Sequence, residues 1–324
     1  MELVKNNVYL RNKAGQAANK MYVNEEVNVS EVFPEIYNIV REKTEIQLDK
    51  VTPETDQVIL NGYINYNILY YTNDSDMVYG IEGEIPFEET LRIGNTDENS
   101  IVDVKMEVDS SNVKLYNSRK FALRAEILIS AVSEGLESIE FPDKMENSRG
   151  MEVLNDTVET MSVVAEQTEN IRIKESVYIP GVKPAADRIV WKELKLKNVT
   201  SRVNDGMINV SGEMYVFIMY LPEEADMPNQ WIETTVDFKD NLEMSEATED
   251  LISFINVTLQ DGKIHLNENE EGENRELSID AVLQLEIKLY KENKTEILMD
   301  IYSPTKNVQT KLKDVCYKKL LVKN

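Results

Sequence analysis

Apolar and polar residues alternate along much of the chain with a period of two. In VILNGYINYNILYY, Val58, Leu60, Ile64, Tyr66, Ile68 and Tyr70 share one parity, and Asn61, Asn65 and Asn67 hold the other. Successive side chains of a strand point to opposite faces, so this spacing predicts a strand with one buried face. MINVSGEMYVFIMY repeats it with Ile208, Val210, Met214, Val216, Ile218 and Tyr220. Gly62 and Gly212 interrupt the two strands at the same place, where a missing side chain marks a bulge or a close backbone approach. VDVKMEVDSSNVKLY and FINVTLQDGKIHL each read as two alternating arms around a polar turn, with Asp261 and Gly262 as the hairpin dipeptide. FALRAEILI and LSIDAVLQLEIKLY predict a long closing strand in each half. Only VFPEIYNIV and VKPAADRIV break the period. Their Pro34 and Pro184 suit the first turn of a short helix, with Ile36, Ile39 and Val40 turned inward in the first half.

These elements occur twice. Pro34 and Pro184, Ile39 and Ile189, Gly62 and Gly212, and Tyr70 and Tyr220 all stand 150 positions apart (184 − 34 = 150). Phe87 matches Phe238 at 151 (238 − 87 = 151), and Arg119 matches Arg275 at 156 (275 − 119 = 156), after an insertion within NENEEGEN. So long a period means two copies of one domain rather than a solenoid, whose units run to about 20–50 residues. The chain therefore divides into a first β domain, 1–150, and a second, 151–324, with residues 140–150 (EFPDKMENSRG) as the expected hinge. The fold class is mainly β: two tandem homologous antiparallel β-sandwiches or open barrels, each with one short helix. The tail TKLKDVCYKKLLVKN resembles the lead-in to each copy and ends on the LVKN also found at 3–6. It is expected to open a third unit.

Composition narrows the partners. A length of 324 residues suits about two domains. A net charge of −24, from 59 acidic and 35 basic residues, repels phosphate backbones and anionic lipid, so no nucleic acid partner is expected. Cys316 is the only cysteine, which rules out an intramolecular disulfide framework. The first residues lack the apolar stretch of a signal peptide and nothing later approaches a spanning helix, so the chain reads as cytosolic, without membrane insertion.

Candidate chemistry is sparse. His265, the only histidine, lies between Ile264 and Leu266 and faces away from both, as a solvated strand residue does. Cys316 has no histidine nearby to activate it. Residues 267–274 alternate oxygen ligands around a glycine, but the twelfth position is Ser278 rather than the bidentate glutamate of a calcium loop, so a polar hairpin tip is the expectation. Trp191 and Trp231, found only in the second copy, read as core or as a stacking platform for a sugar. Arg119 and Arg275 read as internal pairings or as grips for a partner's carboxylate. No catalytic, cofactor or metal residue is assigned. The residues written twice are proline, glycine, aromatic, aliphatic and arginine, so the duplicated object is a scaffold, and its function is surface recognition.

Val32 to Ile36, Gly62 to Tyr70, Pro86-Phe87 and Ser118-Arg119-Lys120 together resemble the SPOCS domain of endospore-forming bacteria. The second copy keeps Lys183-Pro184, Gly212 to Tyr220 and Arg275, but has Asp237 before Phe238 and Asn274 before its arginine, and is the more diverged. Tandem copies resemble the SipL-type spore coat morphogenetic proteins. The resemblance implies a non-enzymatic assembly protein of the endospore coat, working in the mother-cell cytoplasm and gathering at the forespore surface. It implies other coat proteins as partners, with self-association through a sheet edge as a further expectation. In that family a C-terminal LysM module docks on the basement-layer coat ATPase. These 324 residues contain no such module, so the expectation is an N-terminal fragment or a member with a different partner surface. The alternative reading is a module that binds peptidoglycan or exopolysaccharide.

Overall fold

A computed structural model describes residues 2–73, 75–146, 150–224 and 227–305. The expected third-unit tail and Cys316 lie outside the described residues. Two similar units follow one another. In the first, β1 (Glu2–Asn28), β6 (Lys120–Glu146) and β5 (Ile101–Asn117) form one sheet in that order, and β2 (Asn38–Glu54), β3 (Gln57–Tyr71) and β4 (Val78–Arg92) form the other. In the second, β7 (Glu152–Tyr178), β12 (Asn274–Tyr302) and β11 (Ile252–Glu268) face β8 (Ala186–Asn204), β9 (Met207–Pro222) and β10 (Gln230–Glu243). Every ladder is antiparallel.

Each unit is a sandwich closed by its two central strands. Val58, Leu60, Ile64, Ile68 and Tyr70 of β3 bury against Phe121, Leu123, Ile127 and Ile129 of β6. Ile208, Val210, Met214 and Ile218 of β9 do the same against Leu277, Leu283, Leu285 and Ile287 of β12. At about 1.5–3 kcal/mol per fully buried aliphatic side chain, these two alternating faces dominate the stability of each unit.

The mainly β class holds, but the expected short helix does not form: no helix occurs among the described residues. Phe33 N donates to Ser30 O at 3.1 Å, and Lys183 N to Pro180 O at 2.9 Å, closing a tight turn. The residue before a proline is pushed out of the helical region. Beyond Pro34, Ile36 N donates to Ser118 O and Tyr37 N to Tyr71 O, both at 3.0 Å, so cross-strand carbonyls take the donors a helix would have used. Ile36 is buried and Ile39 packs on the core, but Val40 is 53% exposed.

Two further expectations change. β5 and β11 are each one continuous strand, not a hairpin, with register shifts at Val108/Ser110 and at Leu259/Asp261. The bulge falls at Gln260, just before the Asp-Gly pair, which stays in register with Val282 and Ala281; Gly262 leaves room for Leu194, whose Cδ1 would lie 2.5 Å from an added β-carbon. In the expected hinge, Glu140–Glu146 is the end of β6 and pairs with the start of β1.

Candidate interaction surfaces

The duplicated residues converge on the turn that opens each unit. Tyr70 Oη donates to Pro34 O at 3.0 Å, and Arg119 Nη1 donates to Phe33 O at 2.7 Å and to Ser30 O at 3.3 Å. In the second unit Tyr220 donates to Pro184 O at 3.1 Å, and Arg275 Nη1 to Lys183 O at 2.7 Å and Pro180 O at 3.4 Å. Arg119 Nε meets Glu35 at 3.4 Å, and Arg275 Nε pairs with Glu273. Burial pushes the Tyr70 phenol up to about 12, with Tyr79 adding to the shift and Arg119 and Arg188 opposing it; Tyr220 is likewise raised, mainly by burial. Both guanidinium groups are thus spent on backbone carbonyls of their own unit rather than held free for a partner's carboxylate.

Glycine and phenylalanine form the second repeated device. Gly62 pairs with Phe87, and Gly212 with Phe238. Opposite each glycine the neighbouring strand bulges, at Asp49 in β2 and at Asn198 and Val199 in β8. A β-carbon on Gly62 would sit 2.1 Å from Gln47 O and 2.9 Å from Phe87 Cζ. On Gly212 it would sit 2.8 Å from Phe238 Cζ. The aromatic ring occupies the space the glycine leaves, which explains why the two residue types recur together. Ile39 and Ile189 pack on the cores of their units.

The remaining candidates separate. His265 is exposed on β11, opposite Ser278. Within 267–274 the Asn269 side chain accepts from Glu271 N at 3.0 Å and Glu273 N at 2.9 Å, closing a hairpin tip. No grouping of three or more metal-ligand side chains occurs among the described residues. Trp191 is 2% exposed, while Trp231 is 53% exposed with the Lys183 ammonium 4.9 Å above its ring. The two tryptophans therefore form no joint stacking platform, because one is enclosed and the other already carries a cation.

Trp191 is enclosed by the other unit. Val190, Trp191 and Leu221 of the second unit bury against Leu69 of the first, with Met77, Val78, Tyr79, Phe217 and Met219 around them. A β-carbon on Gly80 would lie 1.9 Å from Val190 O, so only glycine admits this approach. Polar contacts ring the joint. Val78 N donates to Asn229 Oδ1 at 2.8 Å and Asn229 Nδ2 to Val78 O at 2.9 Å. Arg41 meets Glu193 at 3.1 Å and lies 4.9 Å over the Trp191 ring, and Lys192 meets Glu82 at 2.9 Å. Hydrogen bonding from Lys195 and Trp191, with the charges of Lys195 and Arg41, lowers Glu193 despite its burial. Farther along, Lys288 bridges Asp103 at 2.8 Å and Glu166 at 3.2 Å. Burial disfavours its charge, but those carboxylates outweigh it and raise its pKa. Sequence reading missed the joint because its largest residue does not repeat: Trp191 stands where the first copy has Arg41.

The structure is thus a duplicated β-sandwich with a buried seam between its copies, and with its repeated polar side chains turned onto its own backbone. The model of the SipL SPOCS domain matches residues 35–116 and 185–267, half of the chain, one segment in each unit. The chain belongs to the SipL SPOCS-domain family. Comparison with curated proteins and with solved structures returns no match. No helix among the described residues is long and apolar enough to cross a membrane.

Proposed function

We propose that the protein is a non-enzymatic assembly scaffold of the bacterial endospore coat, joining coat components around the forespore through protein–protein contacts. Membership of the SPOCS family in both units carries this reading. It is supported by where the duplicated side chains go: Tyr70, Tyr220, Arg119 and Arg275 each hold a turn of their own unit. What the copies leave to the outside is a pair of sheets and turns with an acidic surface. Linked modules raise avidity through effective concentration without a strong single site, which suits a layered shell. In this reading the units fall at 1–150 and 151–324, the protein works in the mother-cell cytoplasm, and its partners are other coat proteins; the basement-layer ATPase is the family's partner through a LysM module, which these 324 residues do not contain.

A fluorescent fusion of the full-length gene product, imaged in sporulating cells, tests the proposal. A cap or ring at the forespore, with coat material mislocalised in a deletion strain, is the expected result. Diffuse signal together with normal coats in the deletion strain overturns it.

A further inference from the structure

Tyr22, 71% exposed, stands on the outer face of the β1-β6-β5 sheet between two hollows and lines both. One, of about 610 Å³, lies toward Lys20, Lys105 and Ser130, and the other, of about 410 Å³, toward Asn24, Asn112 and Arg124. From Ala18 to Asn24 they follow β1 for about 20 Å. Beyond Lys105 the next outward residue of β5 is Asp103, which holds Lys288 at 2.8 Å, so the second unit stands at that end. Four other exposed rings are engaged: Tyr37 meets Tyr71, Phe254 meets Tyr290, and lysines lie over Tyr116 and Trp231. The Tyr22 ring has no aromatic or hydrogen-bond partner among the described residues. Duplication does not account for it. In the second unit Arg172 takes the place of Tyr22 (172 − 22 = 150), and it is bonded at 2.7 Å to Asp280, which takes the place of Arg124 (280 − 124 = 156). The same face is latched by an ion pair in one copy and open around a ring in the other.

We propose that this face of the first unit is a groove for a neutral, extended polysaccharide chain, with one sugar ring stacked on Tyr22. The lining selects the ligand. An aromatic face is partly negative and takes the weakly positive C–H face of a pyranose. Tyr22 thus supplies the platform that the two tryptophans do not. On either side stand groups that exchange hydrogen bonds with hydroxyls, Asn112 and Arg124 in one hollow and Glu107 and Ser130 in the other. Arg124 Nε donates to Asn24 at 3.0 Å, which leaves the rest of its five N–H donors for a sugar. Lys20 is paired with Glu126 and lies 3.9 Å from Asp109, and Lys105 meets Glu107 at 2.5 Å. With Arg124, three cations therefore face three carboxylates, and no net charge awaits an ionic ligand. The chain's charge of −24 further repels nucleic acid. A protein partner is disfavoured because interface centres are largely apolar, whereas Tyr22 and Leu128 are the only large apolar residues pointing outward from Ala18–Asn24 and their partners Arg124–Ser130. This inference goes beyond coat assembly and does not depend on it.

The test is calorimetric titration of the whole protein with cellohexaose and with chitohexaose, two neutral straight-chain hexasaccharides, to about 1 mM. Saturable binding of at least one is expected, weakened about tenfold or more by Tyr22→Ala but less than about twofold by Tyr22→Phe, which keeps the ring. Arg124→Gln should weaken it about fivefold. Arg172→Gln, on the matching face of the second unit, should leave it unchanged. Melting curves of the Tyr22 and Arg124 variants should match the wild type, since both side chains are exposed, and this separates loss of the groove from loss of the fold. Lack of saturable binding to either sugar, or binding indifferent to Tyr22→Ala, overturns the inference. Tighter binding of a hyaluronan hexasaccharide, which is acidic, overturns the assignment of a neutral ligand. Because the readout uses purified protein, its failure leaves the coat proposal standing, and diffuse signal in cells leaves this result standing.

Discussion

The Tyr70 hydroxyl donates a hydrogen bond to the carbonyl of Pro34 across 3.0 Å, and Tyr220 does the same to Pro184 across 3.1 Å. Each bond fixes the opening turn to the central strand of its unit. Tyr70→Phe and Tyr220→Phe should each cost about 1 kcal/mol, since a buried carbonyl loses its donor while the ring's packing is kept. Urea denaturation of the single variants checks this, and an unchanged midpoint would mean that the turn is held by arginine alone.

The same tyrosine sets an alkaline limit. The folded-state pKa of Tyr70, about 12, is above the ordinary phenol value of about 10, so the fold favours the neutral form. Its contribution is complete below pH about 10 and is lost as pH rises through about 12. Stability should fall across that window in the wild type and fall less in Tyr70→Phe, as followed by circular dichroism.

The arginine clamp should be unequal between the copies. Arg275 has a side chain 17% exposed and Arg119 one 36% exposed, although each holds its turn carbonyl at 2.7 Å. Replacement by methionine should cost about 1–3 kcal/mol, with Arg275→Met the more damaging, because hydrogen bonds from a charged donor count for more where water is excluded. Equal losses would show that burial is not what sets the strength of the clamp.

Gly62→Ala should destabilise more than Gly212→Ala. The first places a methyl group 2.1 Å from a backbone oxygen, which cannot move alone, whereas the nearest obstacle in the second is a ring edge at 2.8 Å. Overpacking of this kind costs about 1–3 kcal/mol. Phe238→Leu should relieve the second clash and leave the first untouched, which a four-variant thermal series would detect.

Trp191→Ala should uncouple the units. Removing so large a buried side chain costs about 3–5 kcal/mol, all of it lost from the joint rather than from either core. Calorimetry should then resolve two transitions where the wild type gives one. A single transition at lowered temperature would mean that the Lys288 bridge to Asp103 suffices to couple them.

Alternation in Val58 to Tyr70 and its repeat in Ile208 to Tyr220 made the central strands legible, because burial on one face leaves a direct trace in residue order. The turn at Pro34 was not legible. The bulge at Val40 shifts the strand's phase by one residue, so that Ile36, Ile39 and Val40 imitate helical spacing. Asp261-Gly262 misled because its local turn preference is overridden by β12, whose Val282 and Ala281 pair with the two residues in unbroken sequence and leave only Gln260 bulged. The Gly80–Val190 contact left no trace in either copy alone, since it joins positions that are not equivalents.

The pairing of β1 with β6 also orders events during synthesis. Asn28 and Lys120, at the near end of that ladder, are 92 positions apart (120 − 28 = 92), and Glu2 and Glu146, at the far end, are 144 apart (146 − 2 = 144). With translation at about 5–20 residues per second, the first strand waits roughly 5–20 s for its partner to emerge. During that interval a 27-residue segment with an unmatched edge is exposed beside the ribosome. Newly made chains crowded on one messenger are therefore most open to exchanging first strands at this stage, before either copy can close.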